Sequence, residues 1–191
     1  MPKERIAGPG NFNYHYPMLP AIVTAKHAGK ENAMAAAWHA PFSFNPPLYG
    51  VMLSPKRHTC KLILASKEFG VNFMPLEHGE LVAAVGGSRG AEVDKFQKFN
   101  ILTDPPLKTS VPILKDAYAA YELRLTEHRA YGDHDLLVGE IVAVHFSQEA
   151  FTDKGLNLSG VNPLSYLGGD IYATVDKGSV RYWDRQLYGK K

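Results

Sequence analysis

Hydroxyl and cationic side chains are concentrated in the segment LSPKRHTCKLI. Ser54, Lys56, Arg57 and Thr59 fall there between an expected strand end and an expected helix start. A helix N-terminus offers unpaired N–H groups and the positive end of the helix dipole, and the cations and hydroxyls add charge and hydrogen-bond donors. The segment is therefore suited to a phosphate monoester, although a capped helix with solvated basic residues would show the same pattern.

The histidines of this chain give no metal-binding pattern. The eight histidines contain no HExxH and no close H-x-H pair, so the sequence predicts no metal site. His134 stands between Asp133 and Asp135 at an expected hairpin tip. The carboxylates could favour a protonated imidazole or could keep a surface turn soluble, and the residues alone favour the surface turn.

Two further features could carry chemistry but do so weakly. The glycine-rich GGSRG at 86–90 lacks the preceding strand and the long following helix of a dinucleotide-binding turn, so it is more typical of a mobile loop. Cys60 follows a cationic loop near a helix start, where a thiolate is favoured, yet single cysteines in such places are more often inert packing residues. One cysteine allows no intrachain disulfide, which suits a reducing cytosol.

The elements that must position these groups come from an ordinary globular composition. The chain has 191 residues, 45% hydrophobic and 21% charged, which predicts one folded domain. A net charge of +2 without a dense Lys/Arg run argues against nucleic acid as a partner. The sequence shows neither a signal-peptide apolar region nor an apolar run of membrane-spanning length, so we expect a cytoplasmic protein that does not bind membranes.

Alternating and helical patterns predict about six strands and three short helices. The strands are expected at 19–27, 32–40, 48–53, 70–74, 117–130 and 135–147, and the main helices at 59–69 and 78–86. Thr59 is the expected N-cap of the first helix, and FSFNPP is expected to be a loop. Because the strands mostly follow one another directly, an antiparallel barrel or sandwich is favoured.

The alanine-rich second strand has unusually small faces. Ala33, Ala35 and Ala37 would share one face of this strand, and Met34, Ala36 and Trp38 the other. Such a surface admits either tight backbone packing or a flat ligand.

Several ordered motifs resemble one known family. The run NAMAAAWHAPFSFNPPLYGVMLSPKRHTCKLILASKEFGVNFMP, followed by GSRGAEVDKFQKF and GDHDLLVGEIVAVHF, resembles the flavin reductase-like family of FMN-binding split barrels, which includes flavoredoxins and archaeal ferric reductases. The resemblance implies a mainly β fold, a six-stranded antiparallel Greek-key split barrel, with a core at about 15–150 and a C-terminal extension at 151–191 of a single 1–191 domain. It also implies a homodimer with two FMN molecules at the interface.

The resemblance assigns site residues by position. Those expected beside the isoalloxazine ring are Asn32, Ala33, Met34, Ala35, Ala36 and Trp38. Those expected at the phosphate are Ser54, Lys56, Arg57 and Thr59. Gly87, Ser88, Arg89 and Lys95 are expected near the flavin or the nicotinamide, and His134 near the ring edge, where it would orient the nicotinamide and compensate charge. Many members carry Thr or Ser where this chain has alanines after Met34, so backbone contacts would replace hydroxyl contacts.

The function that the resemblance implies is reduction of FMN by NAD(P)H, with electrons passed to free flavin, ferric chelates or a protein acceptor. A flavoredoxin-type electron carrier reduced by a partner protein is the first alternative. A non-enzymatic flavin-binding module is the second. Oxidation of a phosphorylated amine, as in pyridoxamine-phosphate oxidases, is disfavoured because no extra basic pair is present for a second phosphate.

Overall fold

Seven antiparallel strands form the main sheet of the protein. The structure is a computed structural model that describes residues 1–10 and 13–189. The strands of the main sheet are β1 (Ala21–His27), β2 (Lys30–Ala36), β3 (His39–Phe44), β4 (Pro47–Leu53), β5 (Glu68–Phe73), β8 (Ala119–Tyr131) and β9 (His134–Phe146). Short pairs are formed by β6 (Thr103–Asp104) with β7 (Ile113–Leu114), β10 (Phe151–Thr152) with β11 (Gly155–Leu156), and β12 (Ser165–Gly168) with β13 (Ile171–Ala173).

Within the described residues, four short α-helices accompany the strands. They are α1 (His58–Ser66), α2 (Gly79–Gly87), α3 (Lys95–Lys98) and α4 (Gln186–Gly189). Helices α1 and α2 pack on β1 and β2, next to the expected ligand-binding strand. Within the part of the chain that the structure describes, no helix is long and apolar enough to cross a bilayer.

The strand order leaves the barrel open between two strands that are consecutive in the chain. The order is β2-β1-β5-β8-β9-β4-β3, with every pair antiparallel. Only Ala37 and Trp38 connect the edge strands β2 and β3. The Met52 N–H of β4 donates a hydrogen bond of 2.8 Å to the Trp38 carbonyl, which holds this connection against the sheet. The expected antiparallel split barrel is confirmed, with seven strands rather than six.

Strand β2 runs between two apolar clusters. One cluster lies beneath α2 and includes Ile22, Val82 and Val85. Ala33 is buried in this cluster, and Ala35 packs against it. Met34 and Ala36 contact the other cluster, which fills the barrel interior. The predicted faces of these four residues are therefore confirmed, whereas those predicted for Ala37 and Trp38 are wrong, because both lie beyond the end of β2.

The predicted strand at 32–40 is wrong in its length, and the predicted FSFNPP loop is wrong. The chain breaks at Ala37 and Trp38 and then forms β3, which pairs with β4 up to Phe44 opposite Pro47. The alanine run contains no breaker that would signal the interruption. The prolines suggested a loop, yet an edge hairpin tolerates proline because an edge strand does not need every N–H for pairing.

Helix α1 also differs from its prediction. It begins at His58 with Arg57 as N-cap, and it ends at Ser66, after which Lys67 adopts a left-handed φ of 62°. Phe69, which fitted the helical period, lies in β5 instead. Thr59 lies inside the helix, so its predicted role as N-cap is wrong.

The residues after 150 pack against the N-terminal segment and the α2 side of the molecule. The predicted turn and strand in GGDIYATV correspond to the end of β12 and to β13. Leu164 is fully buried, and Tyr166 forms an antiparallel bridge with Met18. The expected polar aromatic end, RYWDRQLYGKK, lies partly outside the described residues.

Candidate functional site

A cavity of about 360 Å³ lies where the end of β4 and the start of α1 meet β2 and the segment from α2 to α3. It brings together ten of the residues assigned by resemblance, namely Asn32, Met34, Ala35, Ser54, Lys56, Arg57, Thr59, Ser88, Arg89 and Lys95. These residues come from three separate stretches of sequence. The fold therefore assembles the predicted phosphate segment and the second strand into one site.

The start of α1 forms the cationic end of this cavity. The N-cap Arg57 has extended backbone angles, and its side chain makes no capping hydrogen bond to the first N–H groups of the helix. Arg57 and Lys56 are exposed beside them. The pKa of His58 is lowered by burial and by the nearby charges of Lys30, Lys61 and Lys95, which shows that the surroundings are positive. This end of the cavity is suited to an anion.

A buried hydrogen bond joins β2 to α1. The Asn32 side-chain Nδ2 donates to the Thr59 hydroxyl at 2.8 Å. Asn32 is 2% exposed and Thr59 is fully buried. The Asn32 Oδ1 is buried and has no hydrogen-bond partner among the described residues. The amide also lies against Gly90, where an added Cβ would approach it to 2.3 Å.

Lys95 fastens the other side of the cavity. Its Nζ donates to the Ala33 carbonyl at 2.8 Å and to the Val85 carbonyl at 2.6 Å, and the residue is only 2% exposed. Burial, followed by the nearby Arg57 charge, lowers the pKa of Lys95 to about 8. Lys95 therefore ties the last turn of α2 to β2 and leaves its third N–H for the cavity.

The loop that follows α2 contributes both a cation and a carboxylate. The Arg89 guanidinium donates to the Glu92 carboxylate at 3.3 Å, and both side chains are exposed. The Ser88 hydroxyl donates to the Ala84 carbonyl at 2.8 Å, which closes the helix end. The prediction of GGSRG as a loop is wrong for its first two glycines, which form the end of α2, whereas Ser88, Arg89 and Gly90 follow the helix and line the cavity.

Some lining residues were missed by sequence reasoning. They are His58, Val85, Gly86, Gly90, Ala91 and Glu92. Most are small or apolar, and residue type alone does not mark such residues as ligand contacts. The position of Gly90 in the glycine-rich loop was the one available signal, because close backbone approach requires glycine.

Other predicted site residues lie outside this cavity. Ala33 and Ala36 are buried in the two apolar clusters, and Gly87 has open space around its α-carbon rather than a place in the cavity lining. Trp38 lines a second, apolar cavity of about 440 Å³, which also contains Met52.

His134 lies against Trp38, with ring centroids 4.8 Å apart. Its Nδ1 hydrogen-bonds the Asp133 carboxylate at 2.8 Å. Asp135 does not join this pair, because it bonds His128 at 2.9 Å. The His134 side chain is 27% exposed, so its imidazole is held in place but accessible.

The polar and apolar cavities adjoin along two strands. Ala35 and Ser54 line the polar cavity, and Trp38 and Met52 line the apolar cavity. Ala35 is three residues from Trp38, and Ser54 is two residues from Met52. An elongated ligand with an anionic end and an apolar end would therefore find both environments within its length.

Cys60 has the packing role that the residues favoured. Its side chain is fully buried, and burial, with a contribution from Asp135, raises the thiol pKa to about 11. A thiol with this pKa is almost entirely protonated at neutral pH. Among the described residues, no group of three His, Cys, Asp or Glu side chains could hold a metal ion.

Comparisons with known proteins agree on the fold. An FMN-binding protein from Thermus thermophilus, solved with bound 1-cyclohex-2-enone, is 36% identical, with 95% of this chain and 100% of that chain covered and a TM-score of 0.84. A flavoredoxin from Methanosarcina acetivorans is 27% identical over 98% of this chain and 97% of that chain, with a TM-score of 0.81. The FMN reductase (NADH) RutF of Agrobacterium fabrum is 29% identical over 63% of this chain and 67% of its own length.

The family profile described as "Flavin reductase like domain" matches residues 13–174, which include every strand of the main sheet and all residues of the polar cavity. The chain therefore belongs to the flavin reductase-like family.

Proposed function

We propose that this protein is an FMN-binding oxidoreductase in which NAD(P)H reduces the flavin, which then passes electrons to free flavin, ferric chelates or a protein acceptor. The observation that carries the proposal is the uncapped, cationic start of α1 within the cavity. The FMN-binding protein from Thermus thermophilus and the FMN reductase of Agrobacterium fabrum support the cofactor and the donor, respectively.

The residues present fit FMN at both ends of the molecule. Ser54, Lys56, Arg57 and the first N–H groups of α1 would hold the phosphate. The adjoining apolar surface near Trp38 suits a planar ring. When bound, FMN supplies hydride and electron transfer.

The chain's own residues would position the reactants. Ala35 presents only a methyl group to the cavity, so the β2 backbone is accessible to the ring. His134 is held by Asp133 and packs against Trp38, where it would orient the nicotinamide. Neither residue needs to transfer a proton for this role.

An anaerobic absorbance spectrum tests the activity. Protein reconstituted with FMN is recorded before and after addition of NADH and then NADPH. Bleaching of the flavin band by either nucleotide is the expected result. A bound flavin that only dithionite reduces would favour the flavoredoxin-type carrier, which the flavoredoxin structure supports as the second candidate.

Arg57→Ala tests the phosphate end. We expect FMN affinity to fall about 10-fold to 100-fold while riboflavin affinity changes little, because only FMN carries the phosphate that a charge-assisted bond would hold. Lys61→Ala, at an exposed position of α1 that does not line the cavity, is the matched control. Equal losses for FMN and riboflavin in titrations of the apoprotein would contradict the assignment.

We also propose that two copies of the chain form a homodimer. On the β3–β4 hairpin, Phe42 lines the apolar cavity and is 53% exposed, and Phe44 is 98% exposed. Covering these aromatic side chains in a second copy would remove them from water.

A further inference from the structure

Asn32 carries a buried hydrogen-bond acceptor that the described protein residues leave unused. The side chain is held by the bond from Nδ2 to Thr59, so Oδ1 is fixed in direction. This oxygen is buried and unpartnered, although Asn32 lines the polar cavity. A buried acceptor without a donor is costly and rare, so a ligand donor is the natural partner.

A second buried asparagine, Asn72, has hydrogen-bond partners for both atoms of its side-chain amide. Asn72 is fully buried, its Nδ2 donates to the Ile22 carbonyl at 3.0 Å, and its Oδ1 accepts from the Leu114 N–H at 2.9 Å. The barrel thus satisfies a structural asparagine at both ends. Asn32, which differs by lining the cavity, is satisfied at only one.

The position of Asn32 indicates which part of the ligand would supply the donor. The Asn32 amide hydrogen-bonds Thr59, which lies in the first turn of α1. The phosphate would lie at this same turn. A phosphate itself offers acceptors at neutral pH and would not satisfy Oδ1. The ring N–H of a flavin lies at the far end of the molecule from its phosphate. Hydroxyl groups of the intervening ribityl chain are the donors nearest to the phosphate.

The space around Asn32 also favours a small donor. The backbone of Gly90 packs against the amide so closely that an added Cβ would approach it to 2.3 Å. A hydroxyl group needs less room there than the edge of a ring. The Thr59 hydroxyl, which accepts from Asn32, keeps its own proton for a ligand oxygen.

We propose that Asn32 Oδ1 accepts a hydrogen bond from a ribityl hydroxyl of bound FMN and thereby makes the site selective for the polyol chain. The proposal rests on the proposed function of the cavity and extends it to one residue and one ligand group. Asn32 acts here as a specificity-determining residue, and the phosphate and the ring are recognised elsewhere.

The experiment is a titration of the apoprotein with FMN and with its 2′-deoxy, 3′-deoxy and 4′-deoxy analogues, followed by flavin fluorescence. We expect one analogue to bind about 10-fold more weakly than FMN, the loss typical of leaving a buried acceptor unpaired. Asn32→Ala should remove that difference, so that this analogue and FMN bind equally. Asn72→Ala is the matched control and should preserve the difference, whatever its effect on stability.

The outcomes separate the two proposals. If FMN does not bind at all, both the proposed function and the role of Asn32 are overturned. If FMN binds and all three analogues bind equally well to the unmodified protein, only the role of Asn32 is overturned. This comparison needs no substitution, so it decides the matter even where Asn32→Ala fails to fold. A difference that persists in Asn32→Ala would also overturn it.

Discussion

The backbone of Gly90 lies so close to the Asn32 amide that no side chain fits at position 90 without a shift. Substitution of Gly90 by alanine would place a Cβ 2.3 Å from both Nδ2 and Oδ1 of Asn32, so the amide or the loop must move. Displacement of the amide would weaken its bond to Thr59 and disturb the cavity. The effect therefore concerns ligand binding more than the barrel.

We expect Gly90→Ala to lower FMN affinity about 10-fold or more and to lower the free energy of unfolding of the apoprotein by no more than about 1–2 kcal/mol, the cost of weakening one buried hydrogen bond. Gly87→Ala is the control, because an added Cβ there meets no atom within 4 Å and the residue does not line the cavity. Calorimetric titration with FMN measures both variants. Equal affinities for the two variants would show that the contact at Gly90 has no influence.

Lys95 gives the protein an unusual dependence of stability on alkaline pH. Its folded pKa of about 8 lies below the usual value of 10.5 because the ammonium is buried. Between these two values the unfolded chain holds a proton that the folded chain has released. The free energy of unfolding therefore rises with pH in this range.

From pH 7.5 to pH 9.5 we expect the unfolding free energy to increase by about 0.5–1 kcal/mol, because the gain from Lys95 exceeds the loss from the buried Cys60 thiol, whose raised pKa of about 11 acts in the opposite direction. Lys95→Met should turn this increase into a decrease. Urea denaturation at a series of pH values provides the measurement. The range stops at 9.5 because burial raises the pKa of Tyr118 and Tyr121, and such tyrosines favour unfolding at higher pH. A flat profile in the unmodified protein would refute the expectation.

The chemistry of the site could be predicted from residue types only in part. Ser54, Lys56, Arg57 and Thr59 combine charge, hydroxyls and a helix start, which allowed either an anion site or a capped helix with solvated cations, and only the family resemblance favoured the anion site. Lys95 came from family resemblance, since its position after a glycine-rich loop did not reveal that its ammonium reaches β2. The unpaired oxygen of Asn32 depends on three-dimensional packing and has no counterpart in the sequence pattern.

At the level of elements, one buried carboxylate holds the long segment between β7 and the preceding β6 against the sheet. Glu122 of β8 accepts hydrogen bonds from the Leu107, Lys108 and Thr109 N–H groups at 2.6–2.8 Å. It also bonds His145 of the neighbouring β9 at 2.7 Å. Burial alone would raise the pKa of Glu122, but these hydrogen bonds together lower it to about 2.

Glu122→Gln should reduce the free energy of unfolding at neutral pH by about 3 kcal/mol, because neutral oxygen accepts these bonds less strongly and the new amide N–H groups oppose the segment's N–H groups. Stability in the unmodified protein should fall as pH decreases from about 4.5 toward 2, since the unfolded carboxyl takes up a proton first.

Acid denaturation of both proteins, with Glu127→Gln at an exposed position of β8 as control, tests the role of Glu122. The Glu122→Gln variant should show a shallower acid dependence than the other two proteins. An equal acid dependence in all three would exclude Glu122 as its source.

Strands and helices in which apolar residues recur at a regular spacing were predictable from the sequence. The residues at which they begin and end were not, because tertiary contacts set them. The long β8–β9 hairpin followed directly from alternation of apolar residues. The break between β2 and β3 did not, because the sequence pattern does not reveal the hydrogen bond that the Trp38 carbonyl accepts from the Met52 N–H of β4. Helix α1 shows the same effect, since the apolar period continued past Ser66 into β5.

For the whole molecule, the β3–β4 hairpin should decide the oligomeric state. We expect sedimentation velocity to show a dimer for the unmodified protein and a monomer for Phe44→Asp, because a charge replaces a large apolar side chain at the proposed contact. Phe44 is 98% exposed, so the folded monomer should be preserved. Phe146→Asp, at an exposed position of β9, is the control. A dimer that survives Phe44→Asp would place the contact elsewhere.

The open side of the barrel has a consequence for association with unrelated chains. Free sheet edges attract strands from other molecules and so promote aggregation. Here both edges, β2 and β3, are joined through Ala37 and Trp38, and β3 is further blunted by Pro41, which has no N–H to offer a foreign strand. The cavity beside β2 can thus remain accessible to a small molecule while the backbone around it resists capture by another polypeptide.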